Sequence, residues 1–466
     1  MPRGRFLPPA ARTDGQPNAT VMTNGQTRFE RMTTQPVPRL VASLAMPTIV
    51  SMLVTSLYNM ADTYFMGQIS TAATAAVGIA FPVMSVVQAV GFFFGHGSGN
   101  FISRRLGAGD LVPARRMAAT GFYAALLTGL CLAALGYAFL TPLCRALGAT
   151  DTILPLAETY VGIVMAGAPF MTASLVLNNQ MRFQGNAAYA MVGIVSGAVF
   201  NVLLAPLLIF VAGWGIAGAA VATVVCQAFS FCLLLFMTRR GGTLSVAPRH
   251  LRWRRSDFVE IVRGGSPSLS RQALACLATL LLNHAAAAYG DAAIAGMSIV
   301  TRITFFIFSF LLGFGQGFQP VCGFNYGAGL NGRVLAGFWF CVRVGGVFML
   351  LCSALGFVFA PEVVHLFRAD PAVVAVGTDA LRWQLLVLPL NVFVTISNMT
   401  LQTIRKSGRA VLLASARQGL FFIPLIVVLP RWFGLSGVEA CQAVSDLLAF
   451  VLAVPLMTGV LRELKR

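Results

Sequence analysis

Residues 56–67 read SLYNMADTYFMG and close an apolar run that begins near Leu40. Asp62 is the only acidic residue between Glu30 and Asp110. If the run forms a membrane helix, that helix carries a carboxylate within its span or near one end. A charged side chain at the centre of such a helix costs about 2.5–3.5 kcal/mol, and residues that bear this cost are commonly functional. Asp62 is therefore the first candidate for a functional residue.

The composition indicates a membrane protein, because 57% of the 466 residues are hydrophobic and only 10% are charged. Soluble domains have about 45–50% apolar and about 25% charged residues. The apolar residues form continuous blocks of about 20 residues or more, which favours spanning helices over a barrel of alternating strands. The predicted fold class is an all-α membrane protein. Its twelve predicted transmembrane helices are 40–66, 75–100, 117–140, 155–180, 187–211, 214–238, 258–288, 292–322, 335–360, 376–402, 409–430 and 436–460.

The positive charges are distributed asymmetrically along the chain. The N-terminal tail, the connections after even-numbered helices and the C-terminus hold 25 of the 33 Lys and Arg residues, with Arg182 counted in the connection after the fourth helix. Connections after odd-numbered helices hold four. This asymmetry predicts that both termini lie in the cytoplasm, and it argues against nucleic acid as the partner that the net charge of +18 would attract. We expect the membrane to be the bacterial inner (plasma) membrane. Residues 1–38 are predicted to be a disordered basic cytoplasmic tail.

A shift of about 220 residues brings two halves of the chain into register. Gly107-Ala-Gly109 returns as Gly327-Ala-Gly329, and Pro169 returns as Pro389. The repeat predicts two six-helix lobes related by a pseudo-twofold axis along the membrane normal, an architecture of transporters. Prolines at equivalent positions would let helices bend as the lobes move. The predicted units are an N-lobe at 39–238, a cytoplasmic linker at 239–257, and a C-lobe with a short cytoplasmic C-terminus at 258–466.

Signatures of enzymes and bound cofactors are absent from the sequence. The Gly-rich runs follow apolar helices and lack the Lys-Ser/Thr pair of a phosphate loop. None of the four histidines has a partner at metal-binding spacing, and the nine cysteines lie mostly inside apolar blocks. We therefore expect no enzymatic activity, no cofactor and no structural metal. Ion-coupled transport, facilitated transport and lipid flipping remain as possible functions.

Residues 315–329, GQGFQPVCGFNYGAG, resemble the signature that follows helix 8 in the MepA-like branch of the MATE (multidrug and toxic compound extrusion) transporters. Residues 58–67, 213–223 and 433–438 are also similar to family motifs, and the resemblance runs from about Pro38 to Met457. It implies a secondary-active antiporter that exports amphipathic, often cationic compounds by alternating access, driven by protons or sodium ions.

The resemblance also implies an ion-coupling site around Asp62. Family members surround this aspartate with a tyrosine one turn earlier, an asparagine and an aspartate on helix 5, and a threonine on helix 6. Tyr58, Asn201 and Thr223 match the tyrosine, asparagine and threonine. Ala205 stands at the position of the helix-5 aspartate. The sequence thus predicts a proton or sodium site that relies on one carboxylate.

Five further polar residues inside the predicted spans have two readings each. Asp446 is either an inter-helix hydrogen-bonding group or a second titratable site. His284 and Gln272 either satisfy helix packing or line a cavity. Asn178 and Asn398, at equivalent repeat positions, are either structural or cavity-lining.

Two other functions remain open from the residues alone. A flippase for an anionic lipid-linked precursor would need several basic residues in its cavity, and the spans offer Arg271, Arg302, Arg343 and Arg417. A receptor or scaffold without transport activity would lack a central cavity. For the transporter we expect drug-like small molecules and the lipid bilayer as partners, and a monomer, because one chain already contains both lobes.

Overall fold

The structure is a computed structural model that describes residues 28–240 and 244–465, and within these ranges it contains helices and no strand. Ten helices of the described chain are long and apolar enough to cross a membrane, and a bent pair of helices makes an eleventh span. The one remaining span, Arg255–Ala287, has 33 residues but is more polar than the others. The prediction of twelve helices in two lobes is confirmed.

We number the spans α1 to α12. The N-lobe contains α1 (Val37–Ile69), α2 (Thr71–Gly107), α3 (Leu111–Ala138), α4 (Leu154–Phe183), α5 (Ala187–Pro206, continued by a π-helical turn Leu207–Val211) and α6 (Gly215–Arg240). The C-lobe contains α7 (Arg255–Ala287), α8 (Asp291–Gly327), α9 (Asn331–Val358), α10 (Pro371–Val387 and Leu390–Thr403), α11 (Ser407–Ser415 and Phe422–Phe433, joined by a π-helical turn Ala416–Leu420) and α12 (Leu435–Lys465). Two short helices, Leu140–Ala146 and Ala360–Phe367, and a 3₁₀ turn, Pro248–His250, lie in connections.

Local sequence signals set where several helices begin and end. The Ser70 hydroxyl accepts a hydrogen bond from the Ala73 backbone N–H at 3.0 Å and caps α2. Gly109 and Gly329 adopt φ of +78° and +74° just after α2 and α8, a left-handed conformation that favours glycine. We call the end of the bundle that carries these two glycine turns and the 244–254 segment the basic end.

The 220-residue repeat is visible as reciprocal contacts at the basic end. The carbonyl of Phe324 lies against Gly107, and the carbonyl of Arg104 lies against Gly327, so a Cβ atom at either glycine would collide with backbone. Each contact is the other one shifted by 220 residues. The glycines therefore allow α2 and α8 to cross closely about the pseudo-twofold axis.

The two lobes meet through two equivalent helix pairs, α2 with α7 and α8 with α1. Gly97 of α2 lies against the backbone of Ile261, and Gly317 of α8 lies against the backbone of Ala45. Small residues at such contacts let helices approach closely where lipid provides no hydrophobic driving force between helices. In the Gly-x-Gly-x-Gly runs of α2 and α8, Gly97, Gly313 and Gly317 thus serve inter-lobe packing. The other three glycines, Gly95, Gly99 and Gly315, pack on helices of their own lobe.

Ion pairs also join the lobes at the basic end. Arg104 of α2 contacts Glu260 of α7 at 3.2 Å and donates to the Thr403 carbonyl at 2.7 Å. Arg116 of α3 contacts Asp257 of α7 at 2.8 Å. The four charged residues of these two ion pairs line a cavity of about 440 Å³. The charged contacts hold the lobes together on this side of the molecule.

Three expectations about chain segments need correction. The disorder predicted for 1–38 is wrong for its last part, because residues 28–34 are helical and Met32 is buried; residues 1–27 lie outside the described chain. The matched prolines behave differently, since α10 bends by 56° next to Pro389 whereas α4 runs through Pro169 as one helix. The linker 239–257 is described only in part, and α7 already begins at Arg255.

We expect Glu260→Gln to weaken the contact between the two lobes at the basic end. Loss of one partner of a desolvated charge pair at an interface costs about 2–5 kcal/mol, and Glu260 binds both Arg104 and Arg405. Cys322 is fully buried on α8 and close to Arg104, so its exposure reports a separation of the lobes at this end. Its rate of alkylation by a membrane-permeable maleimide, followed by peptide mass spectrometry, should rise at least about tenfold.

Asp110→Asn is the matched control for this experiment. Asp110 pairs with Arg105 at the same end, but both residues belong to the N-lobe and their side chains are about half exposed. Labelling of Cys322 in this variant should equal that of the unmodified protein. Equal rates in all three proteins would mean that the Glu260 ion pairs do not hold the lobes together.

Candidate functional site

Asp62 lies two helical turns before the end of α1, on the side opposite to the basic end. Its side chain is half-buried, and its Oδ1 atom is buried without a hydrogen-bond partner among the described residues. Buried polar atoms nearly always have a partner, so an unpaired carboxylate oxygen indicates room for a bound ion, proton or water. The residue singled out by sequence therefore has an open coordination position.

Two tyrosines and a threonine surround this carboxylate. Tyr58 lies one turn before Asp62 on α1, and Tyr160 lies on α4; both are close enough to Asp62 to interact with it electrostatically. The side chain of Thr223 on α6 interacts with both tyrosine hydroxyls. Three helices thus supply hydroxyl groups around one acid.

Asn201 completes the group from α5. It is 3% exposed, and its side chain lies close to the thiol of Cys226, which in turn lies within electrostatic range of Tyr58. The Asn201 Nδ2 atom has no partner within the described chain. The structure therefore brings together all four residues predicted for the coupling site. We call Asp62, Tyr58, Tyr160, Asn201, Thr223 and Cys226 the N-lobe polar site.

Ala205 keeps this site singly charged. It lies one turn after Asn201, is completely buried, and belongs to the same apolar cluster as Tyr160. No Lys or Arg of the described chain forms an ion pair with Asp62. One carboxylate among neutral hydroxyl and amide groups is suited to a single monovalent cation, either a proton or a sodium ion.

Tyr160 and Cys226 are members of the site that sequence reasoning missed. Tyr160 is the only tyrosine of α4. The sequence signal that could have found it was therefore a tyrosine hydroxyl inside an apolar span. That signal does not say which neighbouring helix the hydroxyl faces. The packing of α4 against α6 decides it.

Asp446 of α12 is a hydrogen-bonded ion-pair partner. Its carboxylate accepts from Arg417 Nε at 2.7 Å, Asn391 Nδ2 at 2.6 Å and Gln442 Nε2 at 2.7 Å. The Arg417 guanidinium also lies 4.5 Å from the centre of the Phe308 ring. Donors from α10 and α11 and one from α12 itself thus hold this acid, which agrees with its reading as an inter-helix hydrogen-bonding group.

The other predicted polar residues lie apart from Asp62. Asn178 donates to the Ala190 carbonyl at 2.9 Å, and Asn398 makes the equivalent bond to Ala410 at 2.7 Å, so each ties the end of one helix to the start of the next. Gln272 of α7 donates to Gln88 of α2 at 3.2 Å across the lobe boundary. His284 is exposed near the end of α7.

The sequence pattern of the MatE family matches this chain twice, at residues 47–207 and 267–428. The chain belongs to the MatE family. The two matches begin 220 residues apart, and one lies in each lobe. Membership in this family of membrane transporters confirms that the chain is not an enzyme, and it agrees with a multi-pass bacterial membrane protein.

Known MATE proteins are similar to the chain over nearly its whole length. "Multidrug export protein MepA" of Staphylococcus haemolyticus is 27% identical, covering 88% of this chain and 91% of the relative, which confirms the resemblance to the MepA-like branch. A MATE crystal structure in complex with MaL6 superposes with a TM-score of 0.89 at 24% identity, covering 93% and 98% of the two chains. The outward-facing conformation of a multidrug resistance MATE transporter of the MOP superfamily superposes with a TM-score of 0.87 at 25% identity, covering 94% and 98%.

Proposed function

We propose that this MATE protein is a secondary-active antiporter of the bacterial inner membrane that exports amphipathic, often cationic small molecules as a monomer. A proton or sodium ion that enters from outside binds at Asp62 and biases the N-lobe toward releasing its substrate. The observation that carries the proposal is the unpaired, partly buried Asp62 carboxylate among the hydroxyl and amide groups of the N-lobe polar site.

The orientation of the molecule supports this direction of transport. If the basic end is cytoplasmic, as its Arg and Lys residues predict, the Arg104–Glu260 and Arg116–Asp257 ion pairs close the cytoplasmic side. The N-lobe polar site then lies toward the outer half of the membrane. An external cation reaches it in this conformation, as the proposed mechanism requires.

Transport by the reconstituted protein tests the proposal. Proteoliposomes are given a proton gradient or a sodium gradient, each without the other, and the movement of a fluorescent cationic dye is followed. We expect one of the two gradients to drive dye movement against its concentration. Dye movement that responds to neither gradient would rule out ion-coupled export.

The substitution Ala205→Asp tests whether α5 shares the ion site of Asp62. A second carboxylate strengthens the attraction for a cation, so the proton or sodium concentration that gives half-maximal transport should fall. We expect a change of about 5–150-fold, the usual range of coupling between sites. The measurement is the initial rate of dye transport as the concentration of the coupling ion is varied.

Ala205→Asn serves as the control for that substitution, because asparagine has nearly the same size as aspartate and no charge. It should leave the half-maximal concentration unchanged while revealing any cost of the added volume at this fully buried position. An ion dependence shared by both variants and the unmodified protein would mean that position 205 lies outside the ion site.

The flippase alternative has less support. Of the four arginines considered for an anionic cavity, Arg417 is paired with Asp446, and Arg302 and Arg343 are exposed. Only Arg271 lies between the lobes, near Arg182. A lipid-translocation assay with a fluorescent lipid that bears a pyrophosphate headgroup would reveal this activity.

A further inference from the structure

Arg182 is a buried charge at the boundary between the lobes. It lies at the end of α4, is 2% exposed, and donates to Asn179 Oδ1 at 2.6 Å and to Gln316 Oε1 of α8. Its Nη2 atom lies 3.3 Å from His96 Nε2. The charge pattern counted this arginine in the connection after the fourth helix, and the structure corrects that assignment, because Arg182 is buried and belongs to α4.

His96 provides a neutral contact to this arginine. Its Nδ1 atom lies 3.1 Å from the Phe92 carbonyl oxygen, which can only accept, so Nδ1 carries the hydrogen. Nε2 is then the acceptor for Arg182. All three hydrogen-bonding partners of the guanidinium are therefore uncharged, and none of them balances its positive charge.

A second arginine approaches from the other lobe. Arg271 of α7 lies close enough to Arg182 and His96 to interact electrostatically with both. Its side chain is half-buried and makes no hydrogen bond within residues 28–240 and 244–465. Neither Arg182 nor Arg271 forms an ion pair with a carboxylate of the described chain, although seven of the ion pairs found there involve other arginines.

Unsatisfied hydrogen-bonding atoms lie on Arg182 itself and on α8 near its partner Gln316. Arg182 Nε is buried and has no hydrogen-bond partner among the described residues. Gln319, 1% exposed and one turn after Gln316 on α8, has neither amide atom paired in the described chain. Buried charges are costly unless an opposite charge compensates them, and guanidinium groups bind oxyanions and halides well. The missing partner is thus negatively charged and accepts hydrogen bonds.

We propose that Arg182 and Arg271 form an anion-binding site between the lobes, occupied by a free small anion or by the anionic group of a transported compound. Because one arginine comes from each lobe, an anion bridges them and stabilises the conformation in which they are close. The site goes beyond the cation coupling at Asp62 and does not depend on it. It would let the transporter accept zwitterionic compounds as well as cationic ones.

Anion binding can be measured on the full-length protein in detergent without transport. The melting temperature is compared in sodium chloride and in sodium gluconate at equal ionic strength. We expect chloride to raise it by about 2 °C in the unmodified protein. Arg271→Gln should lose this rise. Arg343→Gln, which removes an exposed arginine from α9, should keep it.

Transport then distinguishes the two sources of the anion. The dyes are a rhodamine with a free carboxylate and its methyl ester. If the site takes the anionic group of the substrate, Arg271→Gln should lower the preference for the carboxylate dye about tenfold and Arg271→Lys should restore part of it. If it takes a free anion, Arg271→Gln should lose the chloride effect while the preference between dyes stays the same.

The same measurements can contradict the proposal of an anion-binding site. It is wrong if the unmodified protein melts at the same temperature in chloride and gluconate and the dye preference is unchanged in both Arg271 variants. The melting comparison on the unmodified protein needs no variant to fold. A failure of ion-driven transport, by contrast, would contradict the coupling at Asp62 and leave the melting result to decide the anion site.

Discussion

Asp62→Asn is expected to abolish gradient-driven export while leaving the folded protein intact. Asparagine has nearly the same size as aspartate but cannot change charge, so the N-lobe polar site can no longer bind a cation in exchange for substrate. Dye movement in proteoliposomes should fall to the rate of protein-free vesicles. Dye binding at equilibrium should persist, but its affinity should no longer respond to the coupling ion, a response we expect to be about 5–150-fold in the unmodified protein.

Asp151→Asn is the matched control, because it makes the same chemical change in the same lobe at a side chain that is 86% exposed. It should transport at the unmodified rate. Binding that loses its ion dependence only in the Asp62 variant separates coupling from a structural role. Undiminished export by Asp62→Asn would remove Asp62 from the mechanism.

Asp446→Ala is expected to destabilise the C-lobe by about 3–5 kcal/mol, the usual effect of removing one partner of a buried ion pair. The Asp446 side chain is 4% exposed, and its loss leaves Arg417 without a counter-charge in an apolar bundle. The free energy of unfolding in detergent, followed by circular dichroism in denaturant, measures the effect.

Gln442→Ala is the control for this substitution, since it removes one uncharged donor to the same carboxylate, worth about 1.5–3 kcal/mol, and keeps the ion pair with Arg417. The double variant Asp446→Leu with Arg417→Met should recover most of the stability, because it removes both charges together. If that double variant also transports normally, Asp446 is structural. If Asp446→Ala costs no more than Gln442→Ala, the ion pair is not what stabilises this region.

The architecture could be predicted because its signals are local or periodic. Apolar blocks of spanning length and the alternation of basic connections each predict a helix count without knowledge of packing. Gly107 and Gly327 also indicate a repeated structure before any neighbour is known, because the same glycine turn returns at the common shift of 220 residues. The bend next to Pro389 and the straight α4 at Pro169 were beyond this reasoning, because neighbouring helices decide whether a proline kinks its helix.

The residues of the candidate site also divide into those that the sequence predicts and those that only helix packing reveals. Asp62 stands out by chemistry alone, because a carboxylate in an apolar span carries an energetic cost that most residues do not. Tyr58 follows from helix periodicity, since it lies four residues away on the same helix. Tyr160 does not, because its approach to Asp62 depends on where the packing of α4 against α6 places it.

The amino-acid sequence was sufficient for the membrane class, the twelve spans, the two lobes and the acid at position 62, because transfer into lipid and helix periodicity depend on residues near one another in the chain. The tertiary structure alone decided which charges are compensated. It paired Asp446 with Arg417 but left Arg182 within electrostatic range of Arg271 and without an acid among the described residues. These partners lie on different helices, and electrostatic interactions depend on distance in space rather than on separation along the chain.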